Sequence, residues 1–143
     1  MKQLFLFFTI LFTSAAFGQI SIDAKYRNGA GWFQAYEMGV TFDLKKGYGV
    51  FRCFNATDFG NSLRAESSSN GISIGTGYSF QIISGLSLGG ELNLRINDLN
   101  GNNGDTFLSP QLYLGYDFSW FELQLDLGLP YFFGLGINIP LKL

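Results

Sequence analysis

The stretch LSLGGELNLRI, residues 86–96, decides the fold. Leu86, Leu88, Leu92, Leu94 and Ile96 fall at every second position, with Gly90 filling the gap in the series. Ser87, Gly89, Glu91, Asn93 and Arg95 stand between them. Successive side chains of a strand point to opposite faces, so the segment reads as a strand with one apolar and one polar face. At 3.6 residues per turn a helix would scatter the same leucines round its axis.

The alternation recurs along the chain. Ile20, Ile22, Ala24 and Tyr26 oppose Ser21, Asp23, Lys25 and Arg27. Tyr36, Met38, Val40 and Phe42 oppose Ala35, Glu37, Gly39 and Thr41. A third strand, about Tyr48 to Asn55, is less regular, because Arg52 interrupts an otherwise apolar face. Ile72, Ile74, Tyr78 and Phe80 oppose Ser73, Gly75, Gly77 and Ser79. After residues 86–96 come Leu112, Leu114, Tyr116 and Phe118, opposing Gln111, Tyr113, Gly115 and Asp117. Phe121, Leu123, Leu125 and Leu127 then oppose Glu122, Gln124, Asp126 and Gly128. Finally Phe133, Leu135, Ile137, Ile139, Leu141 and Leu143 oppose Gly134, Gly136, Asn138 and Lys142. Eight strands result, with no helical segment between them.

The connections alternate in length. Lys45–Gly47, Ile83–Gly85 and a turn centred on Ser119 are tight, and follow strands 2, 4 and 6. Arg27–Gly31 joins the first pair and Leu129–Tyr131 the last. The longest loops, Asn55–Asn70 and Asn97–Asp105, follow strands 3 and 5. Outer-membrane barrels have an even strand count, short periplasmic turns and longer outer loops. That pattern places both chain ends in the periplasm.

Upstream of the strands, Met1-Lys2 supplies a positive charge and Leu4–Phe12 a short apolar run. Thr13–Gly18 is rich in small residues, with Ala16 and Gly18 suited to positions −3 and −1 of a cleavage site before Gln19. A cut after Ala16 is the alternative. The run is too short to cross a bilayer as a helix, which needs about 20 residues. The chain therefore divides into a signal peptide, residues 1–18, and a single barrel domain, residues 19–143.

Composition narrows the setting. Charged residues make up 14 % of the 143, against roughly 25 % in soluble domains, while aromatics reach 17 %. The net charge of −2 leaves no basic patch for phosphates, so nucleic acid is not expected as a partner. Histidine is absent and Cys53 is the single cysteine. The commonest general base, the commonest metal ligand and any internal disulfide are missing together. No catalytic, cofactor or metal residue is assigned.

Alternation would also suit a soluble barrel with its apolar face inward. The polar face, however, is mostly Gly, Ser, Asn and Gln, too poor in Lys and Glu for a water-facing surface. The apolar face is too large to fit inside eight strands, whose interior is only wide enough for side chains to fill. Aromatics also sort by height. Phe42, Tyr48, Tyr78, Phe80, Tyr116, Phe118, Trp120 and Phe121 fall at the periplasmic rim. Tyr26, Trp32, Phe33, Phe54, Phe107, Tyr131, Phe132 and Phe133 fall at the outer rim. Two girdles around an aliphatic band match two membrane–water interfaces. The expected fold is an all-β, eight-stranded, antiparallel up-and-down transmembrane β-barrel, its outer wall in contact with outer-membrane lipid.

This layout resembles the small OmpX/OmpA-type outer-membrane barrels over the whole mature chain. The last strand, Phe133–Leu143, resembles the assembly signal of such barrels, although it ends in Leu143 where they usually carry an aromatic. The Phe17-Gly18-Gln19 exit resembles that of exported proteins of Bacteroidota. The resemblance implies a Gram-negative cell envelope and a non-enzymatic role, in contact with the exterior or with other outer-membrane proteins. Barrel acylases and proteases share the architecture but use histidine, which this chain lacks.

The inward charges are Asp23, Lys25, Arg27, Glu37, Glu91, Arg95, Glu122, Asp126 and Lys142, with Arg52 possible. They read as a salt-bridged filling of the lumen, with a narrow ion path as the alternative. A carboxylate pair such as Glu91 and Glu122 could in principle act as acid and base, but nothing in their spacing favours that over lumen packing. Asp98–Asp105 opens like a calcium loop, but positions six and twelve are Asn103 and Ser109 where an EF-hand needs Gly and Glu. Asn55-Ala56-Thr57 has the form of a glycosylation sequon, read as chance in this export context. Cys53 reads as a small wall residue, and Gly75, Gly77, Gly89 and Gly90 as strand glycines. The leading expectation is a structural or interaction barrel. A narrow channel and a soluble periplasmic lipocalin-like barrel are the alternatives.

Overall fold

A computed structural model describes residues 19–29, 33–44, 46–58, 67–97, 106–128 and 132–141. It contains eight strands: β1 (Ile20–Gly29), β2 (Phe33–Asp43), β3 (Tyr48–Asp58), β4 (Ser67–Ile83), β5 (Leu86–Asn97), β6 (Thr106–Asp117), β7 (Glu122–Gly128) and β8 (Phe132–Leu141). Each pairs antiparallel with its neighbours in sequence, and β1 closes on β8. The fold is the expected all-β up-and-down barrel. Residues 1–18, expected to be a signal peptide, lie outside the described residues, as do Lys142 and the Asp98–Asp105 segment.

Three tight turns close one end. Leu44 N donates to Gly47 O at 2.9 Å, and Gly47 takes φ +94°. Ser84-Gly85 is a two-residue turn between paired Ile83 and Leu86, with Gly85 at φ +80°. In the third, Phe118 N donates to Phe121 O at 2.9 Å. Ser119 there takes φ +75°, a conformation costly for a non-glycine residue, and its N–H donates to the Asp117 carboxylate at 2.7 Å. This is the turn end of the barrel; the opposite rim is the loop end.

The register fixes the shape. Partners lead from Asp43 through Tyr48, Gly77, Glu91, Gln111 and Gly128 to Phe132. One step on, β1 returns the path to β2 at Phe33, ten residues from its start. A stagger of that size tilts strands to roughly 35–45° from the axis. It also brings residues far apart in sequence to the same height inside.

Two expectations about extent change. β3 and β4 pair out to Asp58 and Ser67, so residues 55–58 and 67–70, half of the expected Asn55–Asn70 loop, are strand. The cross-strand backbone ladder continues past the apolar band, because it needs only N–H and C=O groups. β6 starts at Thr106, five residues before the alternation at Gln111 becomes legible. Pro110 pairs with Leu92 on β5, and among the described residues pairing of β6 with β7 begins at Gln111.

The faces sort as expected, apolar outward. Met38 is 66 % exposed, while Arg27 is fully buried. β3 departs from the pattern: Tyr48, Val50, Arg52 and Phe54 face inward, and Phe51 and Cys53 outward. Arg52 thus joins the lumen in company with apolar residues. Phe132 is also buried inside, and Phe107 shares the inward parity of Ser109 and Gln111. Tyr48, Phe54 and Phe132 therefore do not belong to the girdles assigned from height alone. Trp32, Tyr131 and the side chain of Phe33 lie outside the described residues. The turn-end girdle stands, with Tyr116, Phe118, Trp120 and Phe121 in successive ring contacts of 4.3–4.9 Å.

The inward rings fit because glycines face them. A Cβ on Gly77 would lie 2.3 Å from the Tyr48 ring, and one on Gly89 2.2 Å from Tyr113. Gly71 and Gly128 stand in the same relation to Phe54 and Phe132. Gly89→Val is therefore expected to lower stability by about 1–3 kcal/mol through overpacking. Adding Tyr113→Ala should return part of that loss in urea titrations of the vesicle-inserted barrel. Additive losses would show that ring and glycine do not share one space.

Candidate functional site

The lumen is the candidate site. Among the described residues eight buried charges line it, four acids (Asp23, Glu37, Glu91, Asp126) and four bases (Lys25, Arg27, Arg52, Arg95). The balance matters, because an unpaired buried charge is costly and a paired one need not be.

Arg52 is the hub. Its Nε donates to Asp23, its Nη1 to Glu91 Oε1, and its Nη2 to Glu91 Oε2 at 3.0 Å. This is a two-pronged guanidinium–carboxylate contact, the geometry that suits arginine. Glu91 also accepts from Asn93 Nδ2 at 2.6 Å and Tyr48 OH at 3.3 Å. Asp23 accepts from Thr41 Oγ1 at 3.3 Å. Lys25 Nζ lies 3.1 Å from Asp126 Oδ1 and 3.9 Å from Glu91 Oε2, which ties a second acid to the cluster.

A second cluster lies toward the loop end. Glu37 pairs with Arg27 at 3.0 Å and with Arg95. Arg27 also donates to Gln111 Oε1 at 2.6 Å. Aromatic rings flank both guanidiniums: Phe132 lies 4.9 Å from Arg27 and Phe54 4.4 Å from Arg95. Such contacts favour a cation in a dry setting, and account for two aromatics that height alone would place in the girdle. The network does not satisfy every group. Arg27 Nε and Nη1, Arg95 Nε, Gln111 Nε2 and Ser109 Oγ have no hydrogen-bond partner among the described residues.

Toward the turn end the lumen opens. A cavity of about 380 Å³ is lined by Ser21, Asp43, Ser87, Asp117, Glu122 and Asn138, among others. A chamber of about 110 Å³ lies between it and the Arg52 cluster. Glu91 and Glu122 both border that chamber. They take separate partners: Glu91 is held by Arg52, while Glu122 accepts from Ser87 and Gln124 at 2.9 Å each.

The remaining sequence candidates take structural places. Cys53 is exposed on the outer wall. Asn55 of the sequon sits in β3, and its Nδ2 donates to Asn70 Oδ1 at 2.5 Å. Gly75 lies against Asn93 and Leu92, while a Cβ on Gly90 would meet only ordinary contacts with Leu112 and Gln111. Among the described residues no group of His, Cys, Asp or Glu is placed to hold a metal ion. Sequence reasoning missed Tyr48, Phe54, Tyr113 and Phe132 as partners of the charges. The available signal was the glycines at matching heights on adjacent strands.

A charged, filled interior inside an apolar wall defines a transmembrane-type β-barrel of eight strands. A de novo designed transmembrane β-barrel has a similar fold, with a TM-score of 0.64 over 89 % of this chain and 97 % of that one, at 14 % identity. No protein-family model matches the chain. No curated protein matches it either.

Proposed function

We propose that the protein is a non-enzymatic barrel of a Gram-negative outer membrane, of the OmpX/OmpA-like type, with its chain ends in the periplasm. It serves as a rigid membrane anchor that carries its loop end to the exterior or to other outer-membrane proteins. The observation that supports this reading most is the balanced set of four buried acids and four buried bases. Side chains cross-linked by ion pairs fill the middle of the lumen, so a steady ion path would have to break them. The polar interior also argues against a lipocalin-like apolar ligand cavity. The outward band, with Leu112 62 % and Leu125 53 % exposed, suits hydrocarbon rather than water.

Planar-bilayer recordings of the purified barrel are expected to show no steady conductance. A stable, ion-selective current would overturn the anchor reading in favour of a narrow channel. Cell fractionation is expected to recover the protein with outer membranes. Recovery in the periplasm without detergent would remove the membrane itself from the reading.

A further inference from the structure

The outer wall is not uniformly convex. A groove of about 870 Å³ crosses it, lined almost wholly by apolar surface. Its course follows one row of paired outward residues: Leu123, Ile137, Ala24, Met38, Cys53 and Ile72, from β7 round to β4. Ala24 and Cys53 are the small members of that row, and they make its floor. The next row toward the loop end supplies a raised border, with Tyr26 and Tyr36 in ring contact at 5.1 Å. That border ends in the hydrogen-bonded amides of Asn55 and Asn70.

Two features of this groove are directional. The first is polarity. One end is aliphatic, at Leu123 and Ile137; the other carries two amides, with the tyrosines alongside. The second is depth. Six strands at about 4.8 Å spacing make the row about 24 Å long. A row perpendicular to strands tilted by roughly 35–45° descends by about 15 Å, the hydrocarbon depth of one leaflet.

We infer that the groove binds one acyl chain of a membrane lipid from the loop-end leaflet. The chain lies along Cys53, Met38, Ala24 and Ile137. The ester or amide linkage of the lipid meets the Asn55 and Asn70 amides. A single aliphatic chain with a polar end matches both directional features. A second barrel would present a convex wall of its own to the floor at Ala24. The inference rests on the membrane reading proposed above.

The test uses vesicles of phosphatidylethanolamine and phosphatidylglycerol. Insertion is first measured by protease protection. The barrel is then extracted in mild detergent, and retained phosphatidylethanolamine is counted by native mass spectrometry. The protein itself is expected to keep one lipid. A variant with Ala24→Leu and Cys53→Leu fills the floor and should keep roughly tenfold less. Gly90→Leu adds the same kind of bulk to the wall outside the groove, where a Cβ meets only ordinary contacts, and should behave as the parent. Equal retention by the filled variant would overturn the inference while leaving the membrane reading intact. So would a parent dimer that the filled variant abolishes, since the occupant would then be a second copy. A parent that does not insert into vesicles would overturn the membrane reading, and the lipid site with it.

Discussion

Arg52→Met is expected to destabilise the barrel by about 3–5 kcal/mol, the range for breaking a buried ion pair by removing one partner. Arg52 touches two acids, Asp23 and Glu91, neither of which is exposed to water. Without the guanidinium, Glu91 keeps the neutral donors Asn93 and Tyr48, and its remaining cation among the described residues is Lys25, 3.9 Å away and already 3.1 Å from Asp126. The distinguishing arm is a triple variant, Arg52→Met with Asp23→Leu and Glu91→Met. It removes the charges as a set and leaves Lys25 with Asp126. Most of the lost stability should return, because apolar groups of similar volume often replace a buried ionic cluster at little cost. Urea unfolding of the vesicle-inserted barrel, followed by tryptophan fluorescence, reads all three proteins. A single variant as stable as the parent would mean that Arg52 is not the hub of the lumen. A triple variant as unstable as the single one would mean that the charges matter for something other than mutual pairing.

The second large effect concerns the wall. Arginine at Leu92 or Leu125 should cost about 2–4 kcal/mol each, the penalty for a cation near the bilayer midplane. Both side chains are roughly half exposed in the bare protein, at 47 % and 53 %, and face the band that lipid would cover. Ile137→Arg belongs to the same set. Ser87→Arg should be milder, because Ser87 borders the 380 Å³ cavity at the turn end, where a long polar side chain has room. Gln124→Lys should also cost less, since Glu122 lies within hydrogen-bonding reach of that side chain. Folding yield into vesicles and urea midpoints separate the two sets. Equal tolerance at both would mean that inside and outside are exchanged.

The amount legible from sequence differs between wall and lumen. Strand number, connection order and the outward face of residues 86–96 follow from alternation, a local property that each strand carries by itself. The inward set of charges was legible for the same reason: seven of the eight buried ones were named from parity, and Arg52, on the irregular β3, was the exception. β3 was misread because its inward residues Tyr48, Val50 and Phe54 are apolar. Polarity distinguishes the two faces only where the lumen is polar, and on this strand rings cover charges instead.

Pairing was beyond reach of the sequence. Lys25 meets Asp126 across 101 residues and Arg27 meets Gln111 across 84. Those distances in sequence collapse only when the sheet closes with its ten-residue stagger. The same closure sets the outward row that places Ala24 beside Met38 and Met38 beside Cys53, and so cuts the groove.

Alternation in the chain by itself determined an eight-stranded barrel with its apolar side out, because each residue's face depends only on its parity along its strand. Tertiary structure alone decided which acid holds which base, which aromatics turn inward, and where the wall is hollow. Each of those depends on the heights at which separate strands meet, and height is set by barrel closure rather than by any one strand.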